Sequence, residues 1–152
     1  TDLSRFGRSG PTRTAGSRRV IELFDDPQNL KHWQPGFQSF EPLSGSPGHP
    51  GAKSRLVYRM NNREVVLIET VTRRNLPENF DGTYDSEHAT TSVHNRFTKK
   101  GRQTLWTIET EFKFQGLIKI VAWMFRGALR KQTEQFMRLF KEFAESRTET
   151  GH

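Results

Sequence analysis

Five histidines, a carboxylate in phase with an apolar strand face and two polar residues on such faces are the raw material for chemistry in this chain. His32, His49, His88, His94 and His152 show no metal-binding spacing such as two histidines four apart, and no tight pair of carboxylates points inward. A zinc or hydrolytic centre is therefore not expected. The absence of cysteine removes thiolate ligands, disulfides and a Cys nucleophile together. No phosphate-cradling glycine loop and no nucleophile elbow is present, so neither nucleotide use nor acyl-enzyme chemistry has support, and no cofactor or metal is expected.

Glu69 shares the parity of Leu67 and Val71, which aims it inward. Near Tyr58 or Arg59 in a pocket, its carboxylate could hold a ligand or act as a base, whereas its place close to a strand end favours exposure to solvent. Asn95 and Thr110 are polar on an otherwise apolar face. A buried amide costs about 1 to 3 kcal/mol unless it is hydrogen-bonded, so each calls for a structural bond or a ligand contact. His94 alternates with Val93 and Asn95 and falls on the outward, solvated face.

The elements that position these residues follow from periodicity. Between Phe37 and Phe114 the pattern has period two with frequent turn signals, predicting antiparallel strands near 37–44, 52–60, 63–73, 80–87, 89–99 and 103–114. Asn61-Asn62 and Lys100-Gly101 read as hairpin turns, Ser44 to Gly51 as a loop, and Pro77 as the break between the third and fourth of these strands. One face carries Leu56, Tyr58, Met60, Val65, Leu67, Val71, Val93, Asn95, Phe97, Trp106, Ile108, Thr110 and Phe112. The other carries Arg55, Arg59, Thr107, Glu109, Glu111 and Lys113. A sheet so divided must have its apolar face covered.

The cover is a helix from Leu117 to about Ser146, whose stripe reads Leu117, Val121, Phe125, Leu129, Gln132, Phe136, Phe140 and Phe143, flanked by Met137 and Leu139. Its first third, residues 117 to 125, is apolar nearly all round, which leaves three readings open: packing beneath loops, the lining of a ligand cavity, or a dimer or membrane contact. Ahead of the strands, Ser17 can cap a short helix that buries Val20, Leu23 and Phe24 on one face. Asp26 and Pro27 start a second helix through Leu30 to Trp33, ended by Pro35-Gly36.

The chain has 152 residues, the usual size of one domain, with only 32% hydrophobic residues but 12 Phe and 3 Trp, so large rings must fill the interior. Its net charge of +7 is concentrated in residues 1 to 19, where Arg5, Arg8, Arg13, Arg18 and Arg19 face Asp2 alone. The remainder is mildly basic, and its aromatics fit a helix-covered sheet better than an open nucleic-acid platform, so nucleic acid is not an expected partner. No run approaches the roughly 18 apolar residues of a membrane span, and residues 1 to 19 lack an apolar signal core, so a cytoplasmic location is expected. The domain reading is a basic arm or atypical first strand over 1–16, one domain over 17–146 and a tail over 147–152.

The stretches VIELFDDPQNLKHWQPGF (20–37), GAKSRLVYRM (51–60), NREVVLIETVTRRNLP (62–77), NRFTKKGRQTLWTIETEFKFQG (95–116) and RKQTEQFMRLFKEFAE (130–145) resemble, in consistent order, bacterial proteins of the SRPBCC superfamily, which groups START, polyketide cyclase/dehydrase and Bet v 1-like proteins. The resemblance implies an α+β helix-grip fold: a curved antiparallel sheet of six to seven strands wrapped on a long C-terminal helix, with two short helices near the N-terminus. It implies a hydrophobic cavity lined by Trp33, Phe37, Tyr58, Leu67, Tyr84, Asn95, Phe97, Trp106, Ile108, Phe125 and Leu129. The function implied is binding or transport of a hydrophobic small molecule such as a lipid, polyketide or aromatic metabolite. The alternatives are a cyclase/dehydratase-like enzyme using the same cavity, with Glu69 or Tyr58 moving a proton, and peripheral membrane association. No catalytic set carries over from the superfamily. Such relatives open with an alternating apolar strand, whose place here is held by FGRSGPTRTAGS. A missing first strand would leave a sheet edge to pair, so monomer and homodimer both stay open.

Overall fold

The computed structural model describes residues 12–13, 17–87, 89–101, 103–114 and 126–149. A two-residue strand, β1 (Thr12–Arg13), is followed by helix α1 (Ser17–Asp25), a 3-10 turn (Pro27–Asn29) and helix α2 (Leu30–Trp33). Six longer strands succeed them: β2 (Phe37–Ser44), β3 (Lys53–Met60), β4 (Arg63–Asn75), β5 (Asn79–Asp85), β6 (Ala89–Lys100) and β7 (Gln103–Phe114). Helix α3 (Arg126–Glu149) is the last element. The strands pair antiparallel in the order β1-β7-β6-β5-β4-β3-β2, each long strand beside its sequence neighbour. Among the described residues β1 adds the pairs of Thr12 with Thr104 and Arg13 with Gln103 at the β7 edge. Among the described residues, no helix is long and apolar enough to cross a membrane.

The local chemistry accounts for the boundaries. Asp26 accepts a hydrogen bond from the Gln28 amide at 2.9 Å, and Pro27, which has no N–H to satisfy, takes the first position. The helix expected from there opens as a 3-10 turn, the Asn29 amide bonding the Asp26 carbonyl at 3.0 Å, before α2 begins. Gly36 then turns the chain into β2 with φ of 78°. A Cβ there would run into the Arg59 carbonyl oxygen, so only glycine allows the Arg59 amide to reach the Gly36 carbonyl at 2.7 Å. At the β3–β4 hairpin Asn61 and Asn62 both take positive φ, 51° and 62°, as a two-residue turn between right-twisted strands requires. In the β6–β7 hairpin Lys100 still pairs with Gln103, so the turn begins at Gly101 rather than at Lys100.

The core lies at one end of the sheet. Val20 and Leu23 of α1, Trp33 of α2, Phe97 and Trp106 of β6 and β7, and Met137, Phe140, Phe143 and Ala144 of α3 form one buried cluster. Phe24 is its hub, with ring centroids 4.9 Å from Phe97, 5.4 Å from Trp106 and 5.8 Å from Phe140. Edge-to-face contacts of this kind add to what ring burial alone contributes. The helix stripe read from Gln132 to Phe143 therefore does face the sheet, while Leu117, Val121 and Phe125 and the side chain of Leu129 lie outside the described residues. α3 runs to Glu149, past the expected end at Ser146.

Candidate functional site

Beyond that core, the concave face of β3 to β7 and the α3 residues Gln132, Thr133, Phe136 and Met137 leave a pocket of about 530 Å³. Strand register builds its floor row by row. Leu56 sits opposite Leu67, Tyr58 opposite Val65, Val93 opposite Thr110, and Asn95 opposite Ile108. One row is different. Glu69 is paired with Tyr84, Tyr84 with Thr91, and Thr91 with Phe112, so Glu69, Tyr84 and Thr91 set three polar side chains in one row of the floor. The Tyr84 hydroxyl donates to Glu69 Oε2 at 2.7 Å, and the Tyr58 hydroxyl donates to Gln34 Oε1 at 2.6 Å.

Glu69 is thus a pocket residue, half-buried, and not the exposed strand-end carboxylate that its position in the sequence favoured. The reason is strand length: β4 continues to Asn75, so Glu69 lies well inside it rather than near its end. Burial raises the Glu69 carboxyl above its ordinary pKa, and the bond from Tyr84 offsets part of that rise. Burial also raises the Tyr84 phenol, helped by the charge of Glu69 and the bond to it, and raises Tyr58, again with Glu69 contributing. Both phenols stay protonated and serve as donors. Glu69 is the group whose ionisation the site tunes.

The sign of that shift has a consequence for stability. A carboxyl raised in the folded state favours folding below its unfolded pKa, and this contribution is lost as pH rises through the folded pKa. Glu69→Gln keeps an acceptor for Tyr84 and removes the buried charge. Above the folded pKa the variant should be more stable than the parent by about 0.5 to 2 kcal/mol, the gap closing in acid. Urea melts across a pH series read this directly; a parent more stable than the variant at neutral pH would contradict the assignment.

Of the residues expected to line a cavity, Trp33, Tyr58, Leu67, Tyr84, Asn95, Trp106 and Ile108 do line the pocket. Phe37 and Phe97 do not. Phe37 packs edge-on against Tyr58 at 5.9 Å outside the pocket, and Phe97 is 3% exposed within the core, stacked on Trp106 at 6.0 Å. Phe125 and the side chain of Leu129 fall outside the described residues. Asn95 makes structural bonds, donating to the Phe80 carbonyl at 3.1 Å and accepting from Trp106 Nε1 at 2.9 Å. Thr110 is buried at 4% exposure. His94 stands on the outer face, its Nδ1 3.2 Å from Asp81 Oδ2. Among the described residues no group of His, Asp or Glu side chains could hold a metal ion.

One wall of the pocket depends on residues the sequence pattern did not single out. Arg74, at the far end of β4, binds Asp25 of α1 through both nitrogens, at 2.8 and 2.6 Å, and donates to the Gly48 carbonyl at 3.1 Å. Its guanidinium also lies 5.7 Å from the centre of the Phe80 ring. One side chain thereby ties α1, the β2–β3 loop and β4 together beside Pro47, Gly48 and His49, which line the pocket. A bidentate pair holds orientation better than a single contact.

No protein-family model and no curated protein sequence matches the chain. Solved structures do match it in fold. A protein from Thermus thermophilus superposes with a TM-score of 0.77 at 14% identity, over 95% of this chain and 99% of that one. A START superfamily protein from Mycobacterium smegmatis gives 0.68 at 13% identity, over 96% and 98%. The allergen Ara h 8.0201 gives 0.69 at 12% identity, over 95% and 99%. At such identities the likeness concerns fold alone, and the fold is the helix-grip fold of SRPBCC and Bet v 1-like proteins.

Proposed function

We propose that this protein binds a hydrophobic small molecule, such as a lipid, polyketide or aromatic metabolite, in the pocket between the sheet and α3. The observation that carries the reading is the pocket itself. About 530 Å³ of space, walled by aromatic and aliphatic side chains with a few polar groups, has the size and chemistry of a small-molecule site. A core meant only for stability would close such a space, because unfilled volume costs packing energy. The fold shared with START and Bet v 1-like structures supports the same reading. Burial of ligand surface, at about 25 cal/mol per Å², supplies the attraction. Native mass spectrometry of protein purified from its source, together with titration of the neutral naphthalene probe prodan, tests it. One retained ligand per chain, or saturable one-to-one binding of the probe that the extracted ligand reverses, is expected. Neither a retained ligand nor saturable probe binding would defeat the proposal.

A second reading, proton-transfer chemistry of the cyclase/dehydratase kind, is favoured by one observation: Glu69 and Tyr58 both line the pocket. Glu69 would take a proton from a carbon beside a carbonyl and return it elsewhere, with the Tyr58 hydroxyl turning from Gln34 Oε1 to donate to the developing oxyanion. Deuterium exchange into a bound aryl ketone in D₂O, lost in Glu69→Gln, is its signature. Exchange no faster than in buffer would leave binding alone.

A further inference from the structure

Glu69 stands in the pocket with one of its two carboxylate oxygens unbonded among the described residues. Tyr84 occupies Oε2 at 2.7 Å, and no described residue donates to Oε1. A carboxylate in an apolar pocket normally has a cation beside it, because burying an unpaired charge is expensive. Among the described residues none pairs with this one. Of the basic side chains lining the pocket, Arg74 is committed to Asp25 and the Gly48 carbonyl, and His49 belongs to the β2–β3 loop. Burial and the bond from Tyr84 are the leading influences on Glu69. Among the described residues the titratable and charged groups facing the pocket are Tyr84 on β5, Tyr58 on β3, His49, and the Arg74–Asp25 pair. From α2, β2, β6, β7 and α3 the described lining side chains are uncharged.

Resting on the ligand-binding reading above, we propose that the pocket selects an aromatic or otherwise apolar molecule that carries a protonated amine, with the ammonium seated against Glu69 Oε1. The ligand supplies the missing cation, turning an unfavourable buried charge into a charge-assisted hydrogen bond. The rings of Trp33, Phe80, Trp106, Phe112 and Phe136 take the apolar body. A ligand carboxylate in the same place would put two like charges together, so fatty acids and aryl acids are disfavoured.

Three probes of like shape separate the possibilities: naphthylethylamine, naphthylethanol and naphthylpropanoate, each titrated calorimetrically into the full chain. The amine should bind about tenfold or more tightly than the alcohol, and the acid most weakly. In Glu69→Gln the ratio of amine to alcohol affinity should fall to about one. An amine bound no better than the alcohol by the parent, or a preference that survives in Glu69→Gln, overturns the proposal while leaving hydrophobic binding intact. If none of the three binds, the binding reading itself fails with it. A second measurement on the unaltered chain guards against a variant that does not fold. Below the pH at which free Glu69 titrates, followed by carboxyl NMR, seating the ammonium must expel the Glu69 proton to buffer. Calorimetry in two buffers of different ionisation enthalpy should then show about one proton released per amine bound and none per alcohol. Equal release for both overturns the proposal.

Discussion

Phe140→Ala is expected to destabilise the protein by about 3 to 5 kcal/mol, enough to leave a marginally stable domain largely unfolded. The ring is 1% exposed and meets Trp33 at 5.1 Å, Trp106 at 5.3 Å and Phe24 at 5.8 Å, each edge-on. Those partners come from α2, β7 and α1, so the cavity left behind would open where three elements meet α3, and none can move in without losing another contact. Phe136, one turn earlier, is the control: it is half-buried and lines the pocket. Its truncation enlarges a space that already exists, and about 1 kcal/mol is expected. Urea denaturation of both variants, followed by tryptophan fluorescence and circular dichroism, gives the comparison. Similar costs at the two positions would mean that the division between core and pocket along α3 is misplaced.

That division is what periodicity could not supply. Alternation along β3, β4, β6 and β7 revealed which side chains share the concave face, because side-chain direction in a strand depends only on parity. The asparagine pair at the β3–β4 hairpin was equally legible, since few residues accept its positive φ. Parity does not say how far the helix stands from each strand. Phe97 and Trp106 are cross-strand partners on one face, yet Phe97 is sealed in the core and Trp106 also borders the pocket. The difference lies in the third dimension, in where α1 and Phe24 press upon the sheet. Glu69 was misjudged for a related reason: its inward phase was correct, but strand length decided its surroundings. Phe24, Leu30, Gln34 and Arg74 reach the pocket from helices, the turn after α2 and a strand end, and their sequence neighbours gave no signal that they converge there. A spacing rule works within one element; these contacts join elements far apart in the chain, as the 49-residue separation of Arg74 and Asp25 shows.

Asn95→Leu should cost about 2 to 4 kcal/mol although it exchanges a polar for an apolar residue in an apolar setting. Asn95 is 6% exposed, and its amide does two jobs at once: it donates to the Phe80 carbonyl on β5 and accepts from the Trp106 indole on β7. Leucine has nearly the same volume and a more favourable transfer energy, so burial alone would forecast a stabilised protein. The opposite result is expected because the indole N–H would be stranded in the interior, and a buried unsatisfied donor costs about 1 to 3 kcal/mol. The facing indole of Trp33 already lies buried with its Nε1 unbonded among the described residues, so a second stranded donor would share the same aromatic wall. Trp106 would then turn in search of a partner, and because its ring borders the pocket, prodan affinity should fall together with stability. Trp106→Phe in the Asn95→Leu background separates the terms. With the stranded N–H gone, most of the lost stability should return, and a double-mutant cycle gives the coupling. A single Asn95→Leu variant within about 0.5 kcal/mol of the parent would show that the bond from Trp106 is not what fixes this wall of the pocket.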